Sequence, residues 1–225
     1  MDKKIDIAVV DYGMGNLRSV SKALEHVAPS KSVLVTSNPE DIANAERVVF
    51  PGQGAMPDCM REMDARGLRE AVIYAAQHKP FLGICIGLQM LFEQSEEGHV
   101  AGLGLFKGRV KRFAAVDMKD SNGDKLKVPH MGWNQVYQTQ NSHTNAGQLQ
   151  SHALWQGIAD GERFYYVHSY YVQAEDEGLT SGFSEYPHRF TSAIAMNNLF
   201  AVQFHPEKSA SAGLQLLSNF VNWAP

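Results

Sequence analysis

The stretch Pro80-Phe81-Leu82-Gly83-Ile84-Cys85-Ile86-Gly87 decides how the chain reads. An apolar run leads into one cysteine set between two glycines, and Leu88-Gln89-Met90-Leu91-Phe92 continues as a helix. A strand, a sharp turn and a helix make a nucleophile elbow, which lifts a reactive side chain off the end of a sheet. The flanking glycines suit such a turn, because it is strained and neighbouring backbones pass close by. The helix that follows aims its N–H groups at the sulfur and favours thiolate, the reactive form. A lone cysteine in an apolar strand is more commonly core filler. The two glycines at a strand-to-helix junction set this one apart.

A second stretch supplies the partners. Leu199-Phe200-Ala201-Val202-Gln203-Phe204 alternates like a strand and ends in His205-Pro206-Glu207. In extended chain residues i and i+2 point the same way, so His205 and Glu207 lie together, with Pro206 stiffening the link. A carboxylate beside an imidazole fixes its tautomer and steadies the imidazolium formed during proton transfer. On its own the triplet also reads as a surface turn. Together with Cys85 it gives nucleophile, base and orienter.

Outward from these motifs, residues 5–10, 32–36, 47–50 and 80–84 read as strands, and 16–27, 68–77 and 87–94 as helices. This alternation predicts a mostly parallel sheet with helices on both faces. After Gly102 short alternating runs at 108–113, 134–137, 163–168, 192–196 and 199–204 predict an antiparallel extension or a mixed edge. A final helix is expected at 210–223, and polar loops near 117–127, 138–150 and 175–187. No linker or repeat interrupts the chain, so residues 1–225 read as a single α/β domain.

Composition narrows the partners. A net charge of −4 gives no reason to expect nucleic acid or an anionic membrane. The longest apolar stretch, 81–92, contains Gln89 and is too short to span a bilayer. The start, Met1-Asp2-Lys3-Lys4-Ile5, is not a signal peptide, and two cysteines without metal spacing fit a reducing cytoplasm. Gly13-Met14-Gly15 follows a strand as in a dinucleotide motif, but Arg18 stands where the third glycine belongs. Pro51-Gly52-Gln53-Gly54 lacks the Lys-Ser/Thr end of a phosphate loop. The nine histidines form no His-x-x-x-His pair, so neither a metal nor a cofactor is expected.

Gly-Ile-Cys-Ile-Gly-Leu-Gln (83–89) and Gln-Phe-His-Pro-Glu (203–207) are very similar to the two signatures of class I, triad-type glutamine amidotransferases. The resemblance runs from Asp11 to the C-terminal helix and implies a flavodoxin-like fold. Four further segments, 11–19, 50–55, 129–134 and 166–170, resemble one branch of that family, the glutaminase subunits of imidazole glycerol phosphate synthases. That branch works in histidine biosynthesis beside a (β/α)8-barrel cyclase.

The resemblance implies that Cys85 attacks the side-chain amide of glutamine, with His205 as acid and base and Glu207 as its orienter. The oxyanion needs backbone donors. The N–H of Ile86 is one, and the Gly52-Gln53-Gly54 turn, which on its own reads as a plain turn, supplies the other. Gln89, one helical turn from Cys85 and on its face, contacts glutamine. Glu97 reads its amino group, although a solvated acidic helix end describes Glu96 and Glu97 equally well. Backbone at Ser169 and Tyr170 holds the carboxylate. Asn16, Arg18, Trp133, Asn134 and Tyr165 face the cyclase or its gate. Three other readings remain open at this stage: a sister glutaminase of the pyridoxal phosphate synthase or aminodeoxychorismate type, a free-standing γ-glutamyl hydrolase, and a silent partner that kept only the fold.

Overall fold

A computed structural model describes residues 4–114, 118–119, 123, 125–140 and 151–225. The expected loop at 138–150 lies outside these residues beyond 140, and the one at 117–127 lies partly outside. The elements run β1 (Ile7–Val10), α1 (Leu17–Val27), β2 (Val33–Thr36), α2 (Pro39–Asn44), β3 (Arg47–Gly52), α3 (Met56–Ala65), α4 (Arg69–His78), β4 (Phe81–Cys85), α5 (Ile86–Gln89), β5 (Phe92–Ser95), β6 (Val100–Ala101), β7 (Phe106–Arg112), β8 (His130–Gln138), β9 (Glu162–His168), β10 (Tyr170–Ala174), β11 (Thr180–Glu185), β12 (Arg189–Met196), β13 (Leu199–Val202) and α6 (Ala210–Asn222).

The strands join one sheet in the order β2-β1-β3-β4-β13-β12-β10-β7-β5-β6, with β11, β8 and β9 branching from β12. The first five are parallel, and antiparallel pairing begins at β13–β12. A parallel strand with helices on both faces must be apolar on both. In β1, Ile7 and Val9 enter one core beside Val20 and Leu24 of α1 and Leu216 and Phe220 of α6. Ala8 and Val10 enter the other beside Met60 and Met63 of α3 and Val72 of α4. The side-chain period of two therefore builds both cores from one strand.

Three expectations need correction. The helix expected at 87–94 is the single turn α5, and the chain then becomes β5. Leu91 spends its carbonyl on Leu105 and Phe106, and β5 pairs in parallel with β7, so sheet pairing overrides a sequence able to form helix. The polar segment 175–187, expected as a loop, contains β11. Its Ser181 and Ser184 are buried but bonded: Trp155 Nε1 donates to Ser181 at 3.0 Å, and Ser192 Oγ donates to Ser184 Oγ at 2.7 Å. Helices α2 and α3 were not expected. Each carries a proline in its first turn, and Asn38 caps α2 by accepting from Glu40 N at 3.0 Å.

Candidate active site

The carboxyl ends of β3, β4 and β13 meet at one point, the usual ligand edge of an open parallel sheet. Register places Gly52 beside Cys85 and Val202 beside Ile84, and His205 follows two residues after Gln203. Cys85 is buried at φ 56°, ψ −108°, a left-handed backbone that costs a non-glycine residue about 1–3 kcal/mol. Gly87 permits this turn, because any Cβ there would overlap the carbonyl oxygen of Phe50.

His205 is also buried and its backbone is extended as expected, but Pro206–Lys208 after it, Glu207 included, form a one-turn 3-10 helix rather than extended chain. The expected pairing with Glu207 is present, with Nδ1 and Oε1 2.9 Å apart. Since the carboxylate accepts, Nδ1 carries the proton. Nε2 is buried without a hydrogen-bond partner. The turn is fixed by its backbone: His205 N donates to the Tyr165 carbonyl at 2.9 Å, and Ser209 Oγ donates to the His205 carbonyl at 2.6 Å. Burial alone would lower the imidazole, but Cys85 and then Glu207 outweigh it and push His205 up to about 10. The charged imidazolium is thus the favoured form beside the sulfur. The second cysteine, Cys59, is fully buried, and burial pushes its thiol up to about 11, so it stays protonated.

A cavity of about 290 Å³ opens on Cys85. Its walls include Gln53, Gly54, Ile86, Gln89, Glu97, Ser169 and Tyr170, so the residues expected to bind substrate and oxyanion come together. Gly54 sits at φ +124° and Gly52 packs against Ile86 and the Tyr12 hydroxyl. Gln89 Nε2 donates to the Tyr170 carbonyl at 3.1 Å, while its Oε1 is buried and unpartnered. The two acidic neighbours divide. Glu97 lines the cavity and accepts from Met56 N at 2.8 Å, holding the start of α3, whereas Glu96 turns away to Arg112 N at 2.9 Å.

The expected partner-facing residues separate. Trp133 and Tyr165 are cross-strand neighbours on one face of β8–β9, their rings 6.0 Å apart, and half of Trp133 is exposed. Val167, on that same face, reaches the cavity wall. Asn134 lies on the opposite face and bonds to the Glu185 carbonyl at 3.0 Å. Asn16 caps α1 through Ser19 N at 3.3 Å, and Arg18 is exposed on that helix.

Sequence reasoning passed over two histidines and a glutamine. His168 lines the cavity and donates from Nδ1 to the Tyr170 carbonyl at 2.8 Å; His130 Nδ1 lies 2.9 Å from His168 Nε2. Burial lowers His130 to about 4 and His168 to about 3, so both are neutral and their tautomers are fixed in series. Both stand in segments already quoted, but in an apolar strand a histidine looks like core. Gln203 lies against Cys85 Sγ at 3.8 Å. Among the described residues no cluster of His, Cys, Asp and Glu could hold a metal ion, and no helix is long and apolar enough to cross a membrane.

This strained cysteine elbow facing a His–Glu pair is the architecture of an amidotransferase, and the sequence profile of the family described as glutamine amidotransferase class-I matches residues 8–223. The chain belongs to the class-I glutamine amidotransferases. Its relatives are more particular. It is 64% identical to imidazole glycerol phosphate synthase subunit HisH of Nitrosospira multiformis, over 98% of this chain and 99% of that one. The HisH subunits of Thiobacillus denitrificans and Dechloromonas aromatica are also 64% identical, over 98% and 97% of this chain and 92% and 97% of theirs. Among solved structures, a putative GMP synthase subunit from Thermoplasma acidophilum superimposes with a TM-score of 0.68 at 14% identity, over 99% of this chain and 94% of that one, a likeness of fold alone.

Proposed function

We propose that Cys85, His205 and Glu207 carry out glutamine hydrolysis at this cavity and that the ammonia passes to a partner subunit. The protein is the glutaminase subunit of imidazole glycerol phosphate synthase, an enzyme of histidine biosynthesis. The observation that supports the residue roles is the unpartnered Nε2 of His205 at the strained cysteine, with Nδ1 already held by Glu207.

The Cys85 sulfur, as thiolate, attacks the side-chain carbonyl carbon of glutamine. The π electrons move onto oxygen, and the N–H of Ile86 together with the Gly52-Gln53-Gly54 turn stabilises that oxyanion. The imidazolium of His205 gives its Nε2 proton to the departing nitrogen. The C–N bond breaks, ammonia leaves and a γ-glutamyl thioester remains. His205, now neutral, takes a proton from water, whose oxygen attacks the thioester. Collapse expels the thiolate beside a recharged imidazolium and releases glutamate. Gln89, Glu97 and the backbone at Ser169 and Tyr170 hold the substrate.

The partner is a (β/α)8-barrel cyclase that docks on the face bearing Trp133 and Tyr165, with Asn16, Arg18 and Asn134 at its margin. Tyr165 supports this reading, because its ring packs on Trp133 while its carbonyl holds His205 N. Glutamate release should be measured for the lone chain, the complex and the complex loaded with the cyclase ligand. The reading expects turnover to rise by orders of magnitude across the three, as the glycine turn completes the oxyanion hole. Equal turnover in all three would leave a free-standing hydrolase.

A further inference from the structure

Gln203 is fully buried on the segment between β13 and His205, and the steps above do not use it. Its side chain joins two groups that they do use. Oε1 accepts from Gln89 Nε2 at 3.1 Å, and Nε2 reaches Cys85 Sγ at 3.8 Å. A backbone group fixes which end is which. The Tyr170 carbonyl can only accept, and it takes its hydrogen bond from Gln89 at 3.1 Å, so Gln89 presents its NH2 there. The same NH2 meets Gln203. An NH2 on Gln203 at that point would set two donors face to face, so Oε1 turns to Gln89 and the Gln203 NH2 turns to the sulfur.

We propose that Gln203 is a further catalytic residue, whose side-chain amide donates an N–H to Cys85 Sγ and holds it as thiolate. A donor to the charged form of an acid favours that form. Because the amide is neutral, it can do so without supplying a proton, which leaves proton transfer to His205. The chain Tyr170–Gln89–Gln203–Cys85 also ties the direction of the sulfur to the cavity wall that receives glutamine. The proposal rests on Cys85 being the nucleophile.

The test is the rate of Cys85 alkylation by iodoacetamide between pH 5 and 10, followed by peptide mass in the full-length chain. Cys59, buried and protonated, serves as the silent control. Gln203→Met keeps the bulk of the side chain and removes the donor. Loss of one hydrogen bond to a charged group should move the acid limb of the profile up by about one pH unit, a roughly tenfold slower reaction on that limb. The alkaline plateau should stay within about twofold of the parent, and kcat in the complex should fall more than KM rises. Gln203→Glu keeps the acceptor for Gln89 but turns an oxygen to the sulfur, so its profile should shift further. It also decides the matter if Gln203→Met does not fold. A profile that superimposes on the parent's in a folded variant would overturn the proposal. A Cys85 that resists alkylation in the parent chain would instead overturn the nucleophile assignment, and the proposal with it.

Discussion

Replacing Glu207 by Gln keeps the shape of the side chain and removes its charge. The two partners are 2.9 Å apart and almost wholly buried, so solvent screens the pair little. A hydrogen bond to a charged group contributes about 1.5–3 kcal/mol, so its loss should lower the His205 pKa by roughly one to two units. That starts from a value of about 10, reached against burial through Cys85 and Glu207 together. The same charge steadies the imidazolium as ammonia departs, so kcat should fall by roughly ten- to a hundredfold with KM nearly unchanged. The loss should be smaller than for His205→Asn, because packing and the His205 backbone bonds still hold the ring. Stability follows the same group. A histidine raised in the fold contributes stability that is complete below its ordinary value of 6.5 and lost as pH rises toward about 10. The melting temperature of Glu207→Gln should therefore fall furthest below the parent's near pH 6, and the gap should close toward pH 10. Glutamate release and thermal melts across pH 6–10 provide the readouts. A kcat within twofold of the parent, with superimposable melts, would refute the reasoning.

Gly54→Ala places a side chain at φ +124° against Met14, so it should impair activation by the loaded partner more than glutamine binding, read as kcat against KM. Gln89→Leu leaves Gln203 Oε1 unpaired, with the Tyr170 carbonyl held only by His168, and should raise KM for glutamine by about tenfold. Burial holds His130 and His152 down to about 4 and His168 to about 3, so these groups favour the fold as neutral rings above pH 6.5. That stability should be lost as pH falls from 6.5 through 4, with a slope approaching three protons in acid melts. Trp133→Ala removes a half-exposed ring and should weaken binding of the cyclase in titration calorimetry, while thermal stability changes little.

The parallel half of the sheet and the pairing of His205 with Glu207 beside the Cys85 turn were legible because local chemistry dictates them. Two glycines around Cys85 and an i, i+2 pairing at His205 leave few alternatives, and β1 and β4 are apolar throughout. The antiparallel half was harder to read. β11 buries serines whose partners, Trp155 for Ser181 and Ser192 for Ser184, come from elsewhere in the chain, and β5 is a strand only because β7 lies beside it. The same holds within the site. The residues themselves did not separate Glu97, which only the resemblance picked, from Glu96; their surroundings part once α3 is in place and its Met56 N donates to Glu97. Asn134 carries a motif shared with Trp133, but strand alternation turns it to the other face. Gln203 and His168 sit in runs of apolar residues, where nothing local shows that the cavity opens beside them.

The most direct test of the account is glutamate and cyclase turnover by the complex built with Cys85→Ala. The account predicts no detectable glutamate release from glutamine, together with normal cyclase turnover when ammonium salt is supplied at alkaline pH. Substantial glutamine hydrolysis by that variant would contradict the role of Cys85. Failure of ammonium to restore turnover in an intact complex would contradict the claim that this chain serves only to deliver nitrogen.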